Sequence, residues 1–247
     1  MTSAKSNKGP RAQSLFMMGF GGLALVIVGA VLWRGPDMSV LPDMADQPVS
    51  LSGGGTLYVQ RHEVTIAEWN ICFARGGCGL KLRARPDQDA RVTPATGLSY
   101  VDVRQYVVWI NDTTGHSFRL PTATEWSKMA APVLPDEPDP IFTDPALTWA
   151  SAYMLEGNAP RALKPQGSFS TSPEGVVDLD GSVWEWTQDC YAGSARMTDP
   201  ERCPAFFVGG EHIAAMSYLV RDPARGGCAV GTPPAHLGMR LVSDAPV

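Results

Sequence analysis

The chain has 247 residues, 44% of them hydrophobic and 18% charged, with a formal net charge of −5. That is enough apolar chain for one sizeable domain with a real core, and too much for a disordered one. The mild acidity offers no basic stripe to neutralise phosphates, which argues against nucleic acid as a partner. Abundant Gly and Pro point to a loop-rich fold rather than a helical bundle.

Lys5, Lys8 and Arg11 precede an uncharged run from Ser14 to Trp33. A helix of that length spans roughly 30 Å, the thickness of a bilayer's hydrocarbon. Residues 1–13 are therefore expected as a cytoplasmic N-terminus and 14–33 as an uncleaved transmembrane signal anchor. Asp37, Asp43 and Asp46 outweigh Arg34 after the run, which orients the C-terminal part outward. The implied location is the inner membrane, single-pass, with the domain in the periplasm. A cleaved signal peptide is the rival, but Gly29-Ala30-Val31-Leu32-Trp33 supplies no A-x-A-like site. Residues 34–54, with Pro36, Pro42, Pro48 and Ser52-Gly53-Gly54, read as a flexible tether. The domain is expected over 55–247.

Three helix starts follow from capping chemistry. Thr65-x-x-Glu68 and Thr122-x-x-Glu125 are capping boxes, and Ser99-x-x-Asp102 is a weaker version of the same device. The first helix should stop at Gly76-Gly77, the second break by Gly115, and the third end before Pro132. Val103, Tyr106, Val107 and Ile110 give the second an apolar stripe. Strand candidates lie near 147–153, 175–179, 183–187, 206–209 and 238–242. Few helices beside short, scattered strands predict an irregular α+β domain.

Five cysteines occur: Cys72, Cys78, Cys190, Cys203 and Cys228. In an exported domain disulfides persist. Cys72 and Cys78 straddle a Gly-Gly turn, and Cys190 and Cys203 bracket a polar loop. The two shortest closures are therefore Cys72–Cys78 and Cys190–Cys203, leaving Cys228 odd. A metal site is the alternative, although these spacings are not those of paired C-x-x-C zinc ligands.

The densest chemistry sits between Asp178 and Tyr191. Asp178, Asp180 and Glu185 bracket Gly181, and Trp184 and Trp186 flank Glu185. Period-2 alternation puts both indoles on one face and the carboxylate on the other. Carboxylates beside a bent backbone are a hard-cation arrangement; a Trp-rich core strand with Glu185 in an ion pair explains the same residues.

Gly181-Ser182-Val183-Trp184-Glu185-Trp186 resembles the "GNVWEW" signature of the formylglycine-generating enzyme family, the sulfatase-modifying-factor domain. In the family's order, His62-Glu63-Val64-Thr65-Ile66-Ala67-Glu68-Trp69 resembles "YEVTNAQY". Phe118-Arg119-Leu120-Pro121-Thr122-Ala123-Thr124-Glu125-Trp126 resembles "FRLPTEAEWE". Gly209-Gly210 sits where "RGGSW" belongs, and Leu237-Gly238-Met239-Arg240-Leu241-Val242 resembles "GFRLV". The resemblance covers about residues 55 to 243 and implies a C-type-lectin-like fold, poor in regular structure.

It also implies ligands. The family's calcium maps to the Asp178 carboxylate, the carbonyls of Gly181 and Val183, and the Glu185 carboxylate, with Ser182 replacing the family's Asn. The family's oxidases hold copper(I) between two cysteines, a choice soft thiolates explain. Aligning Gly209-Gly210 and Ser217-Tyr218 puts those positions at Ala214 and Leu219, so copper is not expected. Similar domains lacking the cysteine pair resemble accessory proteins of copper nitrite reductase clusters and of periplasmic siderophore maturation. The leading expectation is thus a pseudoenzyme, a tethered accessory factor for a protein or peptide client, with Ser217, Tyr218, Arg225 and Arg240 as candidate contacts. The alternatives are an oxidase or oxygenase with non-standard ligands from Glu211, His212 or Cys228, and a true formylglycine-generating oxidase of sulfatases.

Overall fold

The computed structural model describes residues 35–134, 162–191, 203–222 and 235–247. The expected anchor at 14–33, the strand near 147–153, Arg225 and Cys228 lie outside them. Among the described residues no helix is long and apolar enough to cross a membrane.

The three capping boxes form as the spacing predicts. α1 (Ile66–Ala74), α2 (Tyr100–Thr114) and α3 (Ala123–Ala130) start on Thr65, Ser99 and Thr122. In each, the hydroxyl accepts from the backbone N–H three residues on, and that residue's carboxylate accepts at the cap, so two orphan donors are satisfied reciprocally. Gly115 closes α2 in the left-handed region, as a C-terminal glycine can without Cβ strain.

The strands make two sheets. β1 (Val49–Ser50), β2 (Thr56–Val59) and β7 (Val242–Ser243) form an antiparallel set in the order β1-β2-β7. The second sheet comprises β3 (Val183–Tyr191), β4 (Ala205–Gly209), β5 (Ile213–Ser217) and β6 (His236–Gly238). Its order is β5-β4-β3-β6, with β6 parallel to β3. The segment 175–179 is not a strand: Val177 makes one isolated bridge to Thr171. The single strand expected over 238–242 is two strands of different sheets.

Two disulfides, Cys72–Cys78 and Cys190–Cys203, are present. The first ties the end of α1 to the following turn, and the second ties the far end of β3 to the approach of β4.

The tether needs correction. The compact unit begins at Met38, with a 3₁₀ turn over Met38–Val40. Val40, Leu41 and Met44 pack against the core. Arg61 pairs with Asp43 at 2.9 Å and Asp46 at 2.7 Å, and Ala45 N–H donates to Val59 C=O at 2.8 Å. The prolines prevent helix but not this docking, and Asp43 and Asp46 are ion-pair partners that hold it.

Two apolar clusters result. The larger gathers Trp69, Tyr106, Ile110, Trp184 and Trp186 between α1, α2 and the four-stranded sheet. The smaller gathers Leu57, Val59, Trp126, Met129 and Leu179 around α3 and the three-stranded sheet. Glu185 lies on β3 between Trp184 and Trp186, and its alternation carries the carboxylate away from the larger cluster to Trp126 of the smaller one.

Candidate functional site

The Glu185 carboxylate has no exposure to solvent. It accepts from Arg240 Nε at 3.0 and 3.2 Å, from Arg240 Nη2 at 2.8 Å, and from the Trp126 indole N–H at 2.9 Å. Arg240 is equally buried. Its remaining N–H groups reach the carbonyls of Gln60 at 3.0 Å, Arg61 at 2.6 Å and Val177 at 2.8 Å, so every donor of the guanidinium is satisfied. Burial opposes its charge, but Glu185, Glu63 and Asp178 together raise its pKa above the ordinary arginine value.

Arg240 is therefore not a client contact. An arginine reads as surface because most arginines are exposed; here it is the internal counter-ion of β3.

Glu63 completes the cluster. It is buried, lies 3.7 Å from Arg240 Nη2, and its Oε2 has no hydrogen-bond partner. Burial pushes its pKa up to about 8, with Glu185 and Asp178 adding to the rise and Arg240 opposing it. Sequence reading missed this role. The signal was an acidic residue directly before a buried valine and a helix cap, in a stretch where a solvated side chain has little room.

Asp178 is buried, with φ of 65°, a left-handed conformation that Asp tolerates better than most residues. Its carboxylate accepts from the backbone N–H of Gly167 at 2.6 Å and of Phe169 at 2.8 Å, and His62 Nδ1 stands 3.8 Å away. Burial alone would raise its pKa; the nearby His62 ring and the hydrogen bonds from the Gly167 and Phe169 N–H groups override that and hold it below the usual range. Gly181 N–H closes the turn on Asp178 C=O at 2.9 Å, and Val183 opens β3 opposite His236.

This donor set does not fit the calcium that the family resemblance implies. Both oxygens of Asp178 and both of Glu185 face N–H donors, and a cation beside Glu185 would meet the Arg240 guanidinium. No group of three or more His, Cys, Asp or Glu side chains placed to hold a metal occurs among the described residues. Adding EDTA is accordingly expected to leave the melting temperature within about 2 °C of its starting value, since ligand removal destabilises only what the ligand had stabilised. A larger chelator-dependent fall, reversed by calcium and abolished in Asp178→Ala, would restore the metal.

The family's cysteine positions lie at the opposite edge of the second sheet. Ala214 is on β5, buried and paired with Val208 of β4. Leu219 is 62% exposed in the turn beyond the strand. Gly209 and Gly210 lead into this hairpin; a Cβ at Gly209 would come within 2.1 Å of the Trp126 ring, and one at Gly210 within 2.3 Å of Trp184. Only glycine allows the backbone to pass between the two indoles. Met216 is sealed in the core, while His212 sets its ring edge against Trp184 at 4.7 Å, so the pair does not converge on one metal.

Ser217 and Tyr218 are exposed at the end of β5. Tyr218 C=O accepts from Tyr100 N–H at 3.1 Å, and Arg221 bridges both oxygens of Asp102 at 2.7 Å. These bonds fasten the β5 turn to the start of α2. Burial would raise the pKa of Asp102, but Arg221 and Ser99 lower it.

Short, widely separated strands, three capped helices and a Glu–Arg–Trp centre joining three of the motifs define an irregular α+β domain of the sulfatase-modifying type. The sequence profile of the sulfatase-modifying factor enzyme 1-like domain matches residues 28–245, and the chain belongs to that family. It is similar to a formylglycine-generating enzyme of Mycobacterium tuberculosis (strain ATCC 25618 / H37Rv), 25% identical over 177 residues. That match covers 61% of this chain and 57% of the relative, so the chain spans little more than half of the relative's length. The solved structure of PvdO from Pseudomonas aeruginosa superposes with a TM-score of 0.50 at 20% identity, covering 84% of this chain and 96% of that one. At that identity the likeness is one of fold.

Proposed function

We propose that the chain is an exported, membrane-tethered accessory factor that binds a protein client of a periplasmic redox system and does not oxidise it. The observation that carries this reading is the pair Ala214 and Leu219. Where the family's oxidases resemble one another in two cysteines, this chain has a buried methyl group and an exposed isobutyl group. Neither side chain holds copper(I) or exchanges a disulfide. The four cysteines among the described residues are in the two disulfides, which leaves them no thiolate to offer. The tethering rests on the uncharged run 14–33 and its flanking charges.

The test is mass spectrometry of a sulfatase-type cysteine peptide after aerobic incubation with copper and reductant. No aldehyde is expected from the wild-type chain, because a lost oxygen-activating centre leaves nothing that is merely slow. Aldehyde from wild type overturns the accessory reading. Product only after Ala214→Cys with Leu219→Cys places the loss at those two positions.

A further inference from the structure

A second region lies outside the Glu185 cluster and includes neither of the family's cysteine positions. It is a cleft of about 440 Å³ between the end of β2 and the first turns of α1, with Arg91 and Gln166 also in its lining. Gln60, at its base, is 2% exposed. The Gln60 Oε1 accepts from Leu241 N–H at 3.1 Å, which fixes the amide's orientation, because only its oxygen can take that bond. The two N–H donors of Nε2 are left to the cleft, with no hydrogen-bond partner among the described residues. Buried donors are normally paired, so an unmatched amide bordering open space calls for an oxygen from outside the chain. Gln166 is held the other way round. Its backbone N–H donates to Val92 C=O at 2.8 Å and its Nε2 to Glu63 C=O at 3.0 Å, which leaves Oε1 as an acceptor beside the same space.

Charge decides what fits. Asp43 and Arg91 border the cleft but are already matched, by Arg61 at 2.9 Å and by Asp89 at 2.7 Å. Glu68 has no arginine or lysine partner among the described residues. One of its oxygens caps α1, accepting from the Thr65 backbone N–H at 2.7 Å and the Thr65 hydroxyl at 2.8 Å; the other accepts from no described residue. Helix N-termini usually attract anions, but this one has no donors to spare. The first N–H groups of α1, from Ile66, Ala67 and Glu68, already donate to Thr93 C=O, Ala90 C=O and the Thr65 hydroxyl. The His62 ring also borders the cleft, with Nδ1 3.8 Å from Asp178. The lining therefore presents an unmatched carboxylate, an unmatched amide donor and an amide acceptor, each held in place by its own hydrogen bonds.

We propose that this cleft binds a small hydrophilic primary amine, its ammonium group on the Glu68 carboxylate and a neighbouring hydroxyl or carbonyl oxygen on Gln60 Nε2. Gln166 Oε1 accepts from a further N–H or O–H of the same ligand. The volume lies within the range of about 300–1,000 Å³ usual for small-molecule sites. An ammonium–carboxylate hydrogen bond is stronger than a neutral one, so the cation supplies affinity and the two amides supply orientation. An amino sugar and the amino terminus of a short peptide both carry this chemistry. The inference goes beyond the accessory reading and does not rest on it.

The test is isothermal titration calorimetry of the full chain in phosphatidylcholine nanodiscs and amine-free buffer. The probes are glucosamine and alanyl-alanine amide, each beside its N-acetylated form. Saturable binding of at least one amine is expected, with its N-acetylated form about tenfold weaker or silent. Glucosamine alone assigns the cleft to an amino sugar, the dipeptide amide alone assigns it to a peptide amino terminus, and binding of both shows that the shared chemistry suffices. Glu68→Gln removes the charge but keeps the capping box, in which Gln serves as well, and should weaken binding about tenfold. Asp112→Asn makes the same charge change at an exposed position on α2 and should leave binding unaltered. Gln60→Met, where near-ultraviolet circular dichroism shows it folded, should weaken binding as well. Binding of neither amine, equal binding of the acetylated forms, or affinity indifferent to Glu68→Gln overturns the site.

Discussion

Arg240→Met is expected to lower the melting temperature by about 10–20 °C, or to prevent folding altogether. The substitution is close in volume, so the loss is electrostatic rather than a cavity. It strands Glu185 in a site with no solvent exposure, leaving only the Trp126 N–H as a donor. Breaking one side of a buried pair costs about 3–5 kcal/mol. The carbonyls of Gln60, Arg61 and Val177 also lose their Arg240 donors, at about 1–3 kcal/mol for each one left unsatisfied. Typical domain stability is only about 5–15 kcal/mol, and each 1 kcal/mol moves the midpoint by about 2–4 °C in a domain of this size. Arg240→Lys keeps the charge but cannot span Glu185 and three carbonyls at once, so it should fall between wild type and Met. Pairing Arg240→Met with Glu185→Leu should recover part of the loss, because removing both charges leaves no orphan. A folded Arg240→Met protein melting within about 3 °C of wild type would show that the buried network does not hold the sheet as described.

The contrast between what the residues reveal and what they hide follows from range. A capping box is a contact between positions three apart, so Thr65 with Glu68, Ser99 with Asp102 and Thr122 with Glu125 announce themselves. The two disulfides are legible for the same reason, as closures over 6 and 13 residues. β3 is legible because Trp184, Glu185 and Trp186 alternate, and the structure divides them between faces as that period requires.

Arg240 and Glu185 are 55 residues apart, and nothing local in "GFRLV" says that its arginine points inward. Exposure is a property of the fold, so an arginine beside a suspected cleft reads as a client contact. The docking of Met38–Ser50 depends likewise on Arg61 reaching back to Asp43 and Asp46. β1 is two residues long, and β5 is built from Ile213-Ala214-Ala215-Met216-Ser217, a run with little polar alternation to mark it as a strand. The carboxylates beside Gly181 suggest a hard cation, and the resemblance supplies its ligand set. What it lacks is the direction of the neighbouring N–H groups, which only the folded backbone provides.

Glu63→Gln is expected to stabilise the protein at alkaline pH and to change little in acid. In the native state burial raises the Glu63 pKa to about 8, with Glu185 and Asp178 facing it and Arg240 opposing the rise; its ordinary value is 4.5. Between those values the folded chain holds a proton that the unfolded chain has released. Stability from this group is therefore fully present below about pH 4.5 and is lost as pH rises through about 8. The full loss is on the order of a few kcal/mol, since each tenfold change in proton affinity between the two states corresponds to about 1.4 kcal/mol. Gln carries no titrating proton and is nearly isosteric with the neutral acid, so the variant should lack this decline. The buried and half-buried carboxylates whose pKa is lowered in the fold, Asp178, Asp102 and Glu125, act in a separate window. Their contribution is present above the ordinary carboxylate range and is lost as pH falls below it, so among the described carboxylates Glu63 is the one whose raised pKa acts over about 5 to 9. The measurement is thermal denaturation across that span. The wild-type midpoint should fall with rising pH while that of Glu63→Gln stays nearly level, the curves converging in acid. Parallel profiles would mean that Glu63 is ionised in the native state and that Arg240 balances two buried carboxylates rather than one.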